Sequence, residues 1–148
     1  MSFFITTPIY YVNDVPHIGH AYTTIACDIF ARFNKLKNED TFFLTGTDEH
    51  GQKVEKAALA QNKDTQIFVD EMSNNFRDLV PYLGCDNDDF IRTTDNKHKS
   101  AAQFLWNKLK NNNQIYLSNY EGWYSIRDEA FYQESELTKV DNGFLAPS

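Results

Sequence analysis

At 148 residues, 41% of them hydrophobic, the chain can bury one sizeable core and has neither a disordered nor a fibrous composition. Its 21 acidic against 14 basic side chains give a net charge of −7, which disfavours strong attraction to a polyanion, because nucleic-acid affinity comes largely from neutralising phosphates. Two cysteines exclude a disulfide scaffold, no secretory segment opens the sequence, and no run approaches the roughly 18 apolar residues of a membrane span, so a reduced cytoplasmic protein is expected.

The apolar run Phe3 to Thr7 predicts a buried strand and Pro8 to Pro16 a loop. A helix follows from about His17 to Lys37, with Asp14 as its expected cap and Lys35 and Lys37 suiting its negative end. Along it Tyr22, Ile25, Ala26, Cys27, Ile29 and Phe33 recur at helical spacing and read as the buried stripe, which makes Cys27 a buried thiol. Thr41 to Thr45 is a second buried strand that runs into Gly46-Thr47-Asp48-Glu49-His50-Gly51, and a helix begins near Gln52.

Asp64 or Thr65 caps a third helix, whose Ile67, Phe68, Met72, Phe76, Leu79, Val80 and Leu83 form a core face, and Phe90 to Thr94 is the third strand. Asp86 to Asp89 lacks the glycine and distal glutamate of an EF-hand loop and reads as solvated. A helix near Lys97 carries Ala101, Ala102, Leu105, Trp106 and Leu109, with Trp106 assigned to the core. Asn111 to Asn113 break it, and Ile115 to Leu117 opens a strand of different character. Trp123 and Tyr124, beside alternating polar residues, suit a half-buried strand better than a platform for stacked bases.

Two clusters carry chemistry. The first, His17-Ile18-Gly19-His20, opens a helix whose unpaired backbone N–H groups attract an anion. Residues three apart share a helix face, so both imidazoles can donate to phosphate oxygens and their charge can grow as the anion approaches. Gly19, without a Cβ, lets a flat base or ribose come against the backbone. Two other readings stay open: solvated helix residues, or zinc ligands together with His50 or Asp48. The second cluster lies at a strand end, where open parallel sheets gather ligands. There Asp48 suits a substrate ammonium, with Gly46 and Gly51 permitting a tight backbone path, unless Asp48 or Glu49 only caps the next helix.

The run Ile9-Tyr10-Tyr11-Val12-Asn13, the His17-Ile18-Gly19-His20 signature and the segment Thr45 to Gly51 resemble the amino-terminal half of bacterial methionyl-tRNA synthetases, which are class I aminoacyl-tRNA synthetases. The likeness continues through Asp64 to Asp70 and Glu121 to Leu137. It implies an α/β fold, a Rossmann-like parallel sheet flanked by helices, with residues 1–114 as the first half of the nucleotide-binding catalytic domain and 115–148 as the start of the connective insertion. It also implies ATP-dependent activation of methionine and its transfer to tRNA(Met) in the full-length enzyme. By the family match His17 and His20 are catalytic, His17, Gly19 and His20 bind ATP, and Ile9, Tyr11, Asp48 and His50 bind methionine.

The partners implied are methionine and ATP, Mg²⁺ accompanying the nucleotide, tRNA(Met) for the full-length enzyme only, and no membrane. The family's second, lysine-rich signature is absent, and Lys97-His98-Lys99-Ser100 does not replace it because it falls at a helix start. A fragment inactive by itself is therefore expected, with apolar surface exposed where a missing half would pack. Two alternatives are an isolated nucleotide-binding fragment without catalysis and an adenylyltransferase that uses a similar His-x-Gly-His turn. Many relatives carry a cysteine pair where this chain has Ser125 and Asp128, so no structural zinc is expected there.

Overall fold

Strand β3 (Asp40–Asp48) is the axis of the first part of the molecule, and every strand there pairs with it in parallel. β1 (Ser2–Thr6) runs beside its first half, from Ser2 opposite Asp40 to Thr6 opposite Leu44. β2 (Tyr10–Tyr11) sets Tyr10 against Thr47 and Tyr11 against Asp48, while β4 (Asp89–Arg92) sets Arg92 against that same Thr47. A residue has one neighbour on each edge, so β2 and β4 flank the carboxyl end of β3 from opposite sides. Parallel neighbours need crossovers, supplied by α1 (Ile18–Leu36) before β3 and by α2 (Gln52–Ala60) and α3 (Thr65–Tyr82) after it. The computed structural model describes residues 2–147 and divides into two compact units between Leu105 and Trp106. The first unit has the α/β, Rossmann-like parallel architecture expected from the sequence.

Strand alternation sorts the residues of β3 between two environments. Phe43 packs with Cys27 and Ala31 of α1 and with Ile5, and Thr47 bonds Ser73 of α3 at 2.9 Å, so Phe43, Thr45 and Thr47 face the helices. Phe42 stacks on Phe4 at 5.9 Å on the opposite face, where the two are 44% and 61% exposed. The larger core cluster lies under α2 and α3 and joins Tyr10 and Val12 to Val54, Ala58, Phe68, Val69 and Phe76. Gly46 is required by the β3–β4 spacing: a Cβ there would stand 2.0 Å from the Ile91 carbonyl oxygen.

α1 overturns its predicted orientation. Its buried side is Ala21, Thr24, Cys27, Asp28, Ala31 and Asn34, whereas Tyr22, Ile25, Ile29 and Phe33 are exposed. Of the expected stripe only Cys27 is buried. Small side chains let the helix approach the sheet closely, and its buried polar groups find partners: Asp28 accepts the Asp86 N–H at 2.8 Å and Asn34 donates to the Phe30 carbonyl at 2.8 Å. Ile18, Tyr22, Ile25, Ile29, Phe33 and Leu36 form an apolar stripe at the surface. On α3, Asp64 caps the helix through its carboxylate, and Ile67 lies outside the core face, 56% exposed.

α4 (Asn96–Asn111) buries none of its residues, and Trp106 is 59% exposed rather than in the core. Amphipathic spacing marks a face but supplies no partner for it. No strand forms at Ile115 to Leu117, because that backbone finds no neighbouring strand to pair with. Beyond the end of α4 and a short 3-10 turn at Glu134–Glu136, the second unit carries two antiparallel hairpins, β5 (Trp123–Ser125) with β6 (Ala130–Tyr132) and β7 (Thr138–Val140) with β8 (Gly143–Leu145). No helix among the described residues is long and apolar enough to cross a membrane.

Candidate active site

The start of α1 is built by its own histidines. His17, not Asp14, is the N-cap, with extended backbone (φ −131°), and its Nδ1 accepts the Gly19 N–H at 3.1 Å. His20 answers in the other direction, its Nδ1 accepting the His17 N–H at 3.0 Å. Asp14 instead accepts the N–H of Val15. Each imidazole uses Nδ1 as an acceptor of a backbone N–H, which leaves Nε2 as the ring atom that can donate to an anion. An imidazolium has no lone pair, so protonation breaks the cap.

Packing holds the second ring in place. His20 meets Tyr10 edge-on at 4.8 Å and Phe76 at 5.0 Å, and its ring centre is 3.9 Å from that of His17. Burial, and then the neighbouring His17, hold the His20 pKa below the ordinary imidazole value, in keeping with its neutral form. Tyr10, itself buried, ties this region together: its hydroxyl lies 2.8 Å from Thr24 Oγ1 and donates to the His20 carbonyl at 3.3 Å. A Cβ at Gly19 would come within 2.9 Å of His17 Cε1, so a larger residue there requires the His17 ring to move.

One residue along β2, Tyr11 is the register partner of Asp48, and parallel partners project to the same face. Thr47 and Glu49 bond each other at 2.7 Å on the helix side, which sends the intervening Asp48 to the other face, while the half-buried Tyr11 also packs against the larger core cluster. Ile9 precedes β2 by one residue, shares the parity of Tyr11, and is 40% exposed. His50 is exposed, with Nε2 3.3 Å from the Thr93 carbonyl, to which it donates. Gly51, at φ 115°, begins α2 without any side-chain cap bond, so neither Asp48 nor Glu49 caps that helix. The histidine pair and Asp48 thus sit beside adjacent residues of one strand, Tyr10 and Tyr11, at the carboxyl end of the sheet.

Among the described residues no three His, Cys, Asp or Glu side chains are grouped to hold a metal ion. The zinc reading of His17 and His20 with His50 or Asp48 thus lacks a ligand set. At the position of the cysteine pair, the Ser125 hydroxyl donates to Asp128 at 2.8 Å and Tyr132 donates to the same oxygen at 3.2 Å.

Comparison with known proteins decides the family. The model for class I tRNA synthetases (M) matches residues 3–140. The chain belongs to the class I methionyl-type tRNA synthetases. Its relatives in this synthetase family include the methionine–tRNA ligase of Rickettsia prowazekii, 62% identical over 93% of this chain and 27% of that protein. The Bacillus subtilis methionine–tRNA ligase is 49% identical over 95% of the chain and 21% of its own length. The solved Mycobacterium tuberculosis methionyl-tRNA synthetase in complex with methionyl-adenylate superposes with a TM-score of 0.90 and 46% identity, over 99% of this chain and 29% of that one. This synthetase chain therefore spans about a quarter of the length of the curated relatives it matches.

Sequence reasoning missed several residues that shape this candidate site. Tyr10 and Phe76 flank His20, and Arg92, Thr93 and Thr94 reach the β3 end from 43 to 45 residues away. The alternation of Tyr10 and Val12 with Ile9 and Tyr11 was the available signal for Tyr10. Phe76 was legible as a core residue by its helical spacing, though not as a neighbour of His20, and no local pattern announces Arg92, Thr93 or Thr94.

Proposed function

We propose that these residues form the part of a methionine–tRNA ligase that holds ATP and methionine for adenylate formation. The observation that carries this is the adjacency of the histidine-capped helix start and the Tyr11–Asp48 pair. It occurs in a chain that resembles, over nearly all its length, a protein solved with methionyl-adenylate. In this reading the methionine carboxylate attacks the α-phosphorus of ATP and pyrophosphate leaves. The adenylate then passes its acyl group to the terminal ribose hydroxyl of tRNA(Met).

Positioning and charge stabilisation do most of the work in such a step. His17 and His20 donate Nε2–H to phosphate oxygens, Gly19 leaves room for adenosine, and Asp48 accepts from the substrate ammonium. Tyr11 and Ile9 line the amino-acid side, with His50 beside it. Mg²⁺ enters as the counter-ion that the triphosphate brings, and no step is derived through it. The setting proposed for this chemistry is the cytoplasm, and residues 1–114 and 115–148 are proposed as catalytic half and connective insertion.

A second reading, a nucleotide-binding module that catalyses nothing by itself, is favoured for the isolated chain by its share of its relatives' length. Methionine-dependent exchange of pyrophosphate into ATP separates the readings. The complete polypeptide containing this chain should support exchange and residues 1–148 alone should not. Exchange that ignores methionine would point to a different adenylyltransferase and sink the proposal.

A further inference from the structure

A buried ion pair, which the proposed chemistry does not use, spans the ends of β3 and β4. The Glu49 side chain has 0% exposure and Arg92 16%. Glu49 Oε1 accepts from Arg92 Nε at 2.7 Å and from Thr47 Oγ1 at 2.7 Å, and Oε2 accepts from the second guanidinium nitrogen at 2.9 Å and from the Thr94 hydroxyl. Arg92 also donates to Asp70 of α3 at 2.5 Å. The backbone is held as well: the Glu49 N–H donates to Thr93 Oγ1 at 2.9 Å and the Thr93 N–H to the Thr47 carbonyl at 3.2 Å. Burial pushes the Glu49 carboxyl up, but its bonds from Arg92, Thr94 and Thr47 outweigh that and hold it below the ordinary carboxylate range.

Stability is a weak reason for such a pair, since desolvation offsets its attraction and apolar replacements of like volume are often no less stable. Geometry is a stronger one. A two-pronged guanidinium bond fixes both distance and plane, and four donors on two oxygens leave Glu49 no alternative orientation. Thr47 and Glu49 are thereby locked to the helix side, and the residue between them must face the other way. A slip of one residue would turn Asp48 into the core.

We infer that Glu49 and Arg92 are positioning residues for the amino-acid end of the site, their ion pair holding Asp48 on the open face of the sheet and His50 against Thr93. The inference rests on the reading of Asp48 as the ammonium partner. The tests are Glu49→Gln, Thr94→Val and Thr94→Ser in the complete polypeptide. Glu49→Gln should raise the methionine KM at least about tenfold and Thr94→Val by roughly threefold, with the ATP KM changed less than about twofold, because a displaced contact penalises only the substrate it holds. Thr94→Ser keeps the hydroxyl and should restore the wild-type value. Equal changes in both KM values, or an unchanged methionine KM in folded Thr94→Val, overturn the inference. If Glu49→Gln does not fold, Thr94→Val decides. Hydrogen exchange supplies an arm independent of activity: the amides of Asp48 to His50 should exchange faster in Thr94→Val while those of β1 do not. A wild-type protein without methionine-dependent pyrophosphate exchange would defeat the functional reading; the ion pair would then stand or fall on hydrogen exchange, with unaltered rates at Asp48 to His50 overturning it.

Discussion

His17 and His20 cap one helix with each other, the Nδ1 of each accepting a backbone N–H from within the same four residues. The bonds occupy both Nδ1 atoms and leave Nε2 of each ring as the donor. Removing one donor from a transition-state site typically lowers turnover about 10²- to 10³-fold. His20→Ala in the complete polypeptide should therefore lower the rate of methionine-dependent pyrophosphate exchange by that order, with methionine affinity little changed. Equal losses in both would assign His20 a structural role.

The same cap sets a pH dependence. His20 has its pKa lowered in the fold by burial and then by His17, so the unfolded chain binds the proton more tightly. Its contribution to stability is present above the ordinary imidazole value of about 6.5 and is lost as pH falls below it toward the folded value. Glu49, with its pKa lowered below the ordinary carboxylate value, loses its contribution in a separate, more acidic window. Urea unfolding midpoints should fall between pH 7 and pH 5.5, and His20→Gln should flatten that fall. An unchanged slope in the variant would remove His20 as its source.

Two glycines separate local from tertiary demands. At Gly19 an added Cβ meets only the His17 ring, which can swing away, and alanine favours the helix by up to about 1 kcal/mol. Gly19→Ala should leave stability within about 1 kcal/mol of wild type while lowering exchange activity, as the His17 donor is displaced. Gly46→Ala places its methyl on the backbone of Ile91, which has nowhere to go, and should destabilise by roughly 2–4 kcal/mol. Chemical unfolding of the two variants checks both. A neutral Gly46→Ala would contradict the β3–β4 spacing.

Asp48→Ala should weaken methionine binding about 10- to 100-fold, the usual worth of a charge-assisted bond, and change the ATP KM little. Titration calorimetry with methionine reads this directly. Unaltered affinity would take Asp48 out of the site.

For the turn at Ser125 and Asp128, the expected outcome is protein that purifies without stoichiometric zinc. Serine is a poor ligand, and Ser125 is bonded to Asp128 instead. Atomic absorption on chelator-free material showing about one zinc per chain would refute it.

Local patterns carried much of this protein. The strand and helix spans over Phe3 to Thr94 other than β2, which lies inside the stretch expected as a loop and exists only by pairing with β3, depend on neighbours within a few residues, as do the histidine pair on a helix start and the polar strand end at Asp48, and the sequence alone determined them. It also determined the family, because the residues around His17-Ile18-Gly19-His20 are distinctive. Tertiary structure decided the rest. Which face of α1 is buried depends on what lies opposite it: the small residues Ala21, Cys27 and Ala31 fit against the sheet, and the apolar stripe from Ile18 to Leu36 does not. The Glu49–Arg92 pair joins residues 43 apart through the parallel register of β3 and β4. Register is a property of two paired strands, and no periodicity within either one encodes it.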